Sequence, residues 1–450
     1  MNFESELVGT EKADVITRDK HSVSRKDIAP NALKVLYRLT SANFHAYIVG
    51  GGVRDLLLGN KPKDFDIATN ATPEDIKKLF RNARVIGRRF KIVHIKFGRE
   101  IIEVTTFRAN HSHKHQVLDG SSRKQIKGLD SAHSESGMIL RDNVYGNIDE
   151  DAIRRDFTVN ALYYTTNGFR VLDFCSGLKD IESRQIRMIG NPIERYKEDP
   201  VRMLRAIRLS AKLGFSIEED TKKPIDELSY LLDSISSARL FDETLKLMTG
   251  GHASITFELL QKFQLGNYLF APTIEALKES DTHAANLVDL ALKNTDERLA
   301  NGKSVTPAFL FASLLWPVLR LNIAKNKNLG LPPRTSFQQA AKLALKEQLD
   351  YTAIPKRFTI AAQEIWELQD RLRIRTKRNI EKIFNHSRFR AAYDFLLLRE
   401  QSGEELQDLG QWWTDFQIGD KNKRSELIAM VNKSQNRRKR RSKDIPSKGI

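Results

Sequence analysis

The sequence predicts an α+β fold in which a small domain with a mixed sheet is followed by all-helical regions. Between residues 31 and 108, short apolar runs alternate with helical spacing and with glycine-rich turns. After Asp199 the apolar residues recur at helical spacing, and strand patterns nearly vanish. The chain has 450 residues, which corresponds to about three domains at roughly 150 residues each.

Composition narrows the class of protein. The chain is 40% hydrophobic and 29% charged, which is ordinary for a globular protein, and its net charge of +17 favours an acidic polymer or surface as partner. A single cysteine, Cys175, excludes an intrachain disulfide and fits a reducing compartment. The longest apolar stretch, residues 307–317, is too short for a membrane span, and residues 1–27 lack a secretory signal. We therefore expect no transmembrane segment and a cytoplasmic location.

Changes in composition along the chain predict its segments. The first residues are polar and of mixed charge, a polar histidine-containing stretch interrupts the first domain, and the last twenty residues carry eight Lys or Arg against one acid. We expect a disordered leader over 1–28, a head over 29–175 with a mobile loop at 109–137, a helical neck over 176–250, a helical body over 251–430, and a disordered basic tail over 431–450.

The first motif with chemical meaning is GGGVRD at residues 50–55, between a predicted strand at 46–49 and a predicted helix that ends near Gly59. Glycines allow the backbone to approach a ligand closely, and a helix N-terminus suits phosphate. Arg54 is placed to add a charged contact. Taken alone, however, the glycines are better explained by a sterically tight turn.

The second motif is Asp64-Phe65-Asp66. In a strand, the period of two places both carboxylates on one face and Phe65 in the core. Two like charges on one face favour a cation between them, and Mg²⁺ binds carboxylates together with substrate phosphates. The alternative is a pair of solvated acids in a turn.

The third motif is RRDFT at residues 154–158. Its acid, Asp156, is a candidate third carboxylate at the metal site, close to an attacking hydroxyl. Glu103, in the strand predicted at 100–107, is a rival for that role. The alternative for the motif is an ion-pair cluster on the surface.

The fourth motif is EDPVR at residues 198–202. Asp199 suits a helix N-cap and Pro200 the first helical position. Beyond them, Val201, Leu204 and Ile207 form an apolar stripe. The neighbouring basic face, either solvated or in contact with a nucleotide and RNA, consists of Arg202, Arg205 and Arg208.

Together the four motifs resemble the class II tRNA nucleotidyltransferase/poly(A) polymerase family in order and rough spacing. Within that family the chain is most similar to the bacterial poly(A) polymerases, and the resemblance covers about residues 30–430. The segments that carry this closer similarity are residues 85–90, 140–143, 148–152, 307–312, 353–358 and 389–394.

The resemblance implies a catalytic head built on a nucleotidyltransferase-type mixed sheet, followed by helical neck and body subdomains. It also implies phosphoryl transfer with two Mg²⁺ ions, for which Mn²⁺ is an alternative, and with ATP as substrate. The carried-over metal and catalytic residues are Asp64 and Asp66, with Asp156 completing the set. The carried-over nucleotide-binding residues are Gly51, Gly52 and Arg54 for the triphosphate, Asp199 and Arg202 for the base, and Arg205 and Arg208 for phosphates or ribose.

The activity implied is template-independent addition of adenylates to RNA 3′-hydroxyl ends. A CCA-adding tRNA nucleotidyltransferase is the alternative, because Asp199 and Arg202 could serve adenine or cytosine. A non-catalytic RNA-binding protein is a more distant alternative, which the clustered acids oppose. RNA 3′ ends, ATP and RNA-decay proteins are the expected partners, and the oligomeric state stays open. The candidate RNA contacts in the tail, which could equally serve only solubility, are Arg437, Arg438, Lys439, Arg440 and Arg441.

Overall fold

The structure, a computed structural model, describes residues 12–87, 91–109, 117–118, 131–134, 139–279 and 281–431. It divides into two compact units, Met1–Leu232 and Asp233–Ile450. The boundary lies inside the segment predicted as a neck, residues 176–250. Most of that segment therefore belongs with the sheet-containing unit, and its end belongs with the helical unit.

The first unit is built on an eight-stranded mixed sheet with the strand order β1-β11-β10-β2-β3-β6-β5-β4. Neighbouring strands are antiparallel except β3 and β6, which are parallel. The predicted mixed sheet is thus confirmed. Its strands are β1 (Asp14–Ile16), β2 (Ala46–Val49), β3 (Asp66–Thr69), β4 (Ala83–Ile86), β5 (Ile92–Phe97), β6 (Glu100–Thr106), β10 (Leu162–Thr165) and β11 (Arg170–Asp173).

Helices accompany this sheet, and two small sheets complete the unit. The helices are α1 (Pro30–Ser41), α2 (Gly51–Leu57), α3 (Pro73–Leu79), α4 (Ile148–Ile153), α5 (Gly177–Glu182), α6 (Pro192–Glu198), α7 (Val201–Leu213), α8 (Glu219–Lys222) and α9 (Pro224–Leu228). The strands of the small sheets are β7 (Val117–Leu118), β8 (Ser131–Ser134) and β9 (Ile139–Asp142) in one, and β12 (Gln185–Ile186) and β13 (Ser216–Ile217) in the other.

Local sequence chemistry sets several of these boundaries. Thr72 caps α3 by accepting a hydrogen bond from the Asp75 N–H, and Asp75 accepts one from the Thr72 N–H in return. Gly98 adopts φ +63° between β5 and β6, as the predicted hairpin requires. Gly214 ends α7 in the left-handed conformation.

The predicted leader is wrong for residues 12–28. β1 pairs with β11 at the edge of the main sheet, and 3₁₀ turns follow at Arg18–Lys20 and Arg25–Asp27. Val23 and Ile28 are buried in the core. A three-residue edge strand is too short to produce a recognisable alternation, which is why the sequence reads as polar tail.

The predicted mobile loop at 109–137 also needs correction where it is described. β7 and β8 lie within it and pair in parallel, and β9 joins β8 just beyond it. These strands are only two to four residues long, so a polar composition hid them. The other residues from 110 to 138 lie outside the described part of the chain.

The described residues of the second unit form helices only. One cluster of their core contains Trp366, whose indole N–H donates to the Ala312 carbonyl at 3.0 Å, and another contains Trp413. Residues 421–431 are also helical. The labelled helices are α10 (Ser237–Met248), α11 (Ala253–Lys262), α12 (Ala271–Glu279), α13 (Thr282–Ala300), α14 (Pro307–Leu314), α15 (Trp316–Asn328), α16 (Pro333–Tyr351), α17 (Lys356–Arg373), α18 (Lys377–Phe384), α19 (Phe389–Gln401) and α20 (Leu409–Ile418).

A search of the described helices for membrane spans finds no single helix that is both long and apolar enough to cross a bilayer. Only α14 and α15 taken together reach the length and composition of a span, and they are bent by 46° at their junction.

Candidate active site

A pocket of about 340 Å³ opens in the first unit where β2 ends and β3 begins, beside the middle of β6. Its described lining contains acids on two neighbouring strands and arginines from the segments that follow β6 and α4. The lining residues are Val49, Gly50, Gly51, Asp66, Glu103, Thr105, Arg108, Asp151, Arg154, Arg155, Asp156 and Asn160.

The glycines of the turn have two different surroundings: two of them line the pocket, and the third packs against the protein. Gly50 has φ +72° and ψ −139°, a conformation that L side chains rarely adopt, and it lines the pocket with Gly51. Gly52 faces the protein instead. A Cβ built there would lie 3.4 Å from the Phe65 ring and 3.5 Å from the Asp64 carbonyl oxygen. Gly52 therefore lets α2 approach the acidic segment closely, as the steric interpretation of this motif holds.

Arg54 is not placed in the pocket lining. Its side chain is 3% exposed and donates to the Asp55 carboxylate at 2.6 and 2.9 Å and to the Asn160 side-chain oxygen. Lys212 also donates to Asp55, at 2.8 Å. Arg54 thus connects α2 to Asn160, which does line the pocket, and the prediction of direct triphosphate contact by Arg54 is not supported by its contacts.

The two acids of the Asp64-Phe65-Asp66 motif are exposed and Phe65 is buried, as the predicted alternation requires. The strand itself begins only at Asp66, so Asp64 precedes it. Partial desolvation in the pocket, and then repulsion from Glu103 and Asp64, raise the pKa of Asp66 to about 6. Negative charge is therefore concentrated at the start of β3.

Glu103 is the acid that the structure places beside Asp66. The two residues are opposite each other in the parallel register of β3 and β6. Its Oε1 lies 3.1 Å from His94 Nε2 on the adjacent strand β5. Glu103 was the alternative to Asp156 as the third carboxylate. The pairing of β3 with β6 brings it next to the Asp64-Phe65-Asp66 motif.

Asp156 lines the same pocket but pairs with arginines. Its carboxylate accepts from Arg202 Nε at 2.7 Å and from Arg205 Nη1. Burial alone would raise the pKa of Asp156, but the two guanidinium groups outweigh burial and hold that pKa well below its ordinary range. That Asp156 completes a carboxylate set stays a prediction, and in this structure its charge is balanced by the two guanidinium groups.

Neither of the two residues predicted to contact the base, Asp199 and Arg202, is among the lining residues of the pocket. Arg202 also donates to Glu198 at 2.7 Å and to the Arg195 carbonyl at 2.7 Å. Asp199 is buried and follows the last residue of α6, whereas α7 begins at Val201, so Asp199 is not the N-cap that the sequence predicted. The predicted apolar stripe of α7 is buried as expected, and Arg205 and Arg208 are half-buried beside it.

Arginines that the sequence did not assign to the site dominate the other side of the pocket. Burial, and then repulsion from Arg108 and Arg195, lower the pKa of Arg154 to about 9. Arg155 is held by Asp151 at 3.1 Å and by the Tyr163 hydroxyl at 2.8 Å. A cluster of cations that repel one another is suited to a polyanion. Both arginines belong to the RRDFT motif, from which only Asp156 was predicted as a site residue.

The carboxylate oxygens of the pocket are suitable ligands for divalent metal ions. Within the described ranges, no group of three His, Cys, Asp or Glu side chains is already gathered for chelation. Asp66, however, forms no salt bridge to any described residue, and burial followed by repulsion from Glu103 raises its pKa. Oxygen ligands of this kind are those that hard divalent ions prefer. The tail candidates Arg437, Arg438, Lys439, Arg440 and Arg441 lie outside the described residues.

Three family models match the chain. They are the poly A polymerase head domain over residues 46–187, a probable RNA- and SrmB-binding site of polymerase A over 214–278, and the polymerase A arginine-rich C-terminus over 329–445. Poly(A) polymerase I of Escherichia coli O6:H1 is 47% identical over 92% of this chain and 88% of its own length. The Haemophilus influenzae enzyme of the same name is 44% identical over 92% and 90%.

CCA-adding enzymes are more distant relatives. The one from Lactobacillus helveticus is 33% identical over 61% of this chain and 66% of its own length. The crystal structure of the Bacillus stearothermophilus CCA-adding enzyme with CTP superposes with a TM-score of 0.53 at 25% identity, over 85% of this chain and 81% of that one.

Proposed function

The chain belongs to the bacterial poly(A) polymerase family and adds adenylates to RNA without a template, and we propose that the pocket lined by Asp66, Glu103 and Arg154 is where it does so. ATP is its substrate and it uses a divalent metal ion. The observation that carries the proposal is that one pocket is lined both by neighbouring acids, Asp66 and Glu103, and by a cluster of arginines. A metal-bound triphosphate matches both charges at once.

The acids at the start of β3 and in the middle of β6 form the metal side of the proposed site. Asp64, Asp66 and Glu103 would hold two Mg²⁺ ions, which when bound lower the pKa of an attacking hydroxyl and neutralise charge on the departing pyrophosphate. Mn²⁺ is an alternative with the same oxygen preference. Glu103 takes the role first given to Asp156, because register places it beside Asp66.

The other residues orient the substrates. Gly50 and Gly51 allow the triphosphate to approach the backbone, and Arg108, Arg154 and Arg155 neutralise its oxygens. Arg54 acts as a positioning residue, since it holds Asn160 at the pocket from a buried ion pair.

Asp156 has a positioning role in this proposal. By pairing with Arg202 and Arg205 it fixes the first turns of α7 next to the pocket. Asp199 and Arg202 then face the base, and Arg205 and Arg208 lie near the phosphates or the ribose. A carboxylate can accept from the adenine amine and a guanidinium can donate to ring nitrogens.

The domain roles extend the same proposal. The head carries the chemistry, residues 176–250 contact the base, and residues 251–430 with the basic tail bind RNA. The match of residues 214–278 to a probable RNA- and SrmB-binding site supports RNA there and a protein partner for that region. A cytoplasmic location remains part of the proposal.

A gel assay tests the proposal directly. The full chain receives Mg²⁺ and either a labelled unstructured RNA or a tRNA lacking its final CCA, with ATP alone, CTP alone, or both. We expect a long ladder on the unstructured RNA with ATP alone, and none from the Asp66→Asn variant. Extension of the tRNA that needs CTP and stops after three additions would establish the CCA-adding activity instead.

A further inference from the structure

Three sequence segments far from the active-site motifs meet at one cavity in the second unit. They are residues 307–312, 353–358 and 389–394, which contribute α14 and the starts of α17 and α19. Together with α13 they enclose about 630 Å³. That volume lies within the usual range for pockets that accept small organic groups. Nothing in the proposed chemistry uses this cavity.

The cavity exists because small side chains face one another across four helices. Ala291 on α13, Ala308 on α14 and Ala361 on α17 are buried, and Ala391 on α19 is half-buried. Larger apolar residues at these positions would fill the space. Ala291 also belongs to the core cluster that contains Trp366, so the cavity borders the packed core directly. The walls are therefore apolar and closely packed from behind.

Two aromatic rings line the opening. Phe358 and Phe309 are half-buried, and each is fixed by a buried ring, Phe241 at 6.2 Å from Phe358 and Phe395 at 5.9 Å from Phe309. The Arg357 guanidinium lies 4.7 Å from the centroid of the Phe358 ring. Rigid aromatic faces next to a cation form the arrangement on which unpaired nucleobases stack.

The rim of the cavity carries more positive than negative charge. Its basic residues are Arg298, Arg357, Arg388 and Arg390, against Glu297 and Asp394. Arg390 pairs with Asp394 at 3.0 Å and Arg388 with Glu364 at 3.1 Å. Among the described residues, Arg298 and Arg357 form no salt bridge.

We propose that this cavity binds a single-stranded segment of the RNA substrate upstream of its 3′ end, with a base inside and phosphates on Arg298 and Arg357. The proposal rests on the proposed function only in taking RNA as substrate. An acidic peptide would match the charges of the rim. It would not match the flat, rigid aromatic faces, which favour a base over a flexible side chain.

The test measures RNA binding by the full chain in EDTA, so that catalysis plays no part. A labelled unstructured RNA is titrated against wild type and the double variant Arg298→Gln/Arg357→Gln at several salt concentrations. We expect affinity about 10-fold weaker and a slope of log affinity against log salt lower by about 1.4, at ~0.7 per phosphate contact. The matched control, Arg334→Gln/Lys342→Gln, removes two exposed charges from α16 and should bind as wild type does.

A second variant distinguishes the contribution of base binding from that of the phosphate contacts. Ala391→Leu places a good helix former at a half-buried site and fills part of the cavity without changing charge. We expect weaker RNA binding with an unchanged salt slope, and an unchanged melting temperature confirms that the variant is folded. Competition by AMP at the same concentration as the RNA would reveal a site for free nucleotide, which would overturn the proposal.

Activity assays keep this proposal distinct from the proposed function. At saturating RNA, both cavity variants should add adenylates at the wild-type rate, because no catalytic group is touched. RNA affinity equal to wild type in both variants would overturn the cavity assignment and leave the active site intact. Absence of adenylate addition in wild type would overturn the proposed function, while the loss of binding in the variants would still support an RNA cavity. Binding of an acidic peptide in place of RNA would also overturn it.

Discussion

Asp66 and Glu103 are opposite neighbours on the two parallel strands of the main sheet. Parallel pairing aligns residues that are far apart in sequence, and here it brings together the second acid of one motif and an acid outside every motif. Burial, and then repulsion from Glu103, raise the pKa of Asp66. This relationship makes Glu103, rather than Asp156, the proposed third acid.

Replacing Glu103 by Gln should reduce kcat by about 100-fold or more, the usual size of effect when one electrostatic group of a catalytic site is lost. RNA binding in EDTA should stay at the wild-type level, because Glu103 touches no proposed RNA contact. The control is Glu100→Gln, an exposed acid on the same strand. A variant with near wild-type kcat would remove Glu103 from the metal site.

The difference in metal-free stability between Asp66→Asn and wild type should depend on pH. The pKa of Asp66 is about 6 in the folded protein against an ordinary 3.8, so its charged form destabilises the fold increasingly as pH rises through that interval and fully above it. Because the Asp66 side chain is exposed, solvent screening reduces this penalty to roughly 1 kcal/mol, so Asp66→Asn should raise Tm in EDTA by about 2–4 °C near neutral pH. The gain should shrink at about pH 5.

Added Mg²⁺ provides the complementary measurement on the same pair of proteins. Metal bound by the folded state should raise the Tm of wild type, because ligands that bind only the folded state stabilise it. Asp66→Asn should respond weakly. Equal responses in the two proteins would contradict the assignment of Asp66 as a metal ligand.

Asp156→Asn should destabilise the first unit by about 1–3 kcal/mol, because the buried Arg202 loses one of its two carboxylate partners and keeps only Glu198. The pKa of Asp156 is lowered in the folded protein, so its contribution is complete above the ordinary pKa of 3.8 and is lost only as pH falls through the lower folded value. Urea denaturation should show a constant difference from wild type between about pH 5 and 8. A purely catalytic defect with wild-type stability would restore Asp156 as the third acid.

Gly50→Ala should cost about 1–3 kcal/mol, because its φ of +72° with ψ −139° is strained for any side chain. It should also raise the KM for ATP, since Gly50 lines the pocket. Gly59→Ala is the matched control, with φ +74° and open space around the added methyl group. That variant should lose stability and keep the wild-type KM.

Deletion of residues 432–450 should weaken RNA binding and lower its salt dependence, while leaving kcat at saturating RNA unchanged. If the five charges at 437–441 contact phosphates, the slope should fall by about 3.5, at ~0.7 per contact. Cutting after Val431 preserves the buried end of the last helical segment. An unchanged slope would leave the tail with a role in solubility only.

The order of motifs was enough to predict the α+β class, the mixed-sheet head and the position of Asp66. Each of these depends on local patterns: a glycine turn between strand and helix, an alternation around Phe65, and a hairpin at Gly98. Local patterns are visible in a single sequence because they involve residues a few positions apart.

What the sequence could not show is which partners, distant in sequence, the site residues have. The sequence shows that Asp156 lies beside arginines but not that Arg202 and Arg205 reach back to it across more than forty residues. In the same way, the sequence predicts Arg54 as a phosphate ligand and does not show that its guanidinium group donates to the Asn160 side-chain oxygen. Which carboxylate remains uncompensated is decided by tertiary pairing alone.

The edge strand β1 has a consequence for synthesis on the ribosome. Asp14 leaves the exit tunnel early, but its partner Asp173 emerges only after most of the first unit has been made. Pairing across such a separation is slow to form, and until then β11's edge has no neighbour on that side. Fusion partners or truncations placed before residue 14 should therefore affect yield and aggregation during expression more than the equilibrium stability of the finished fold.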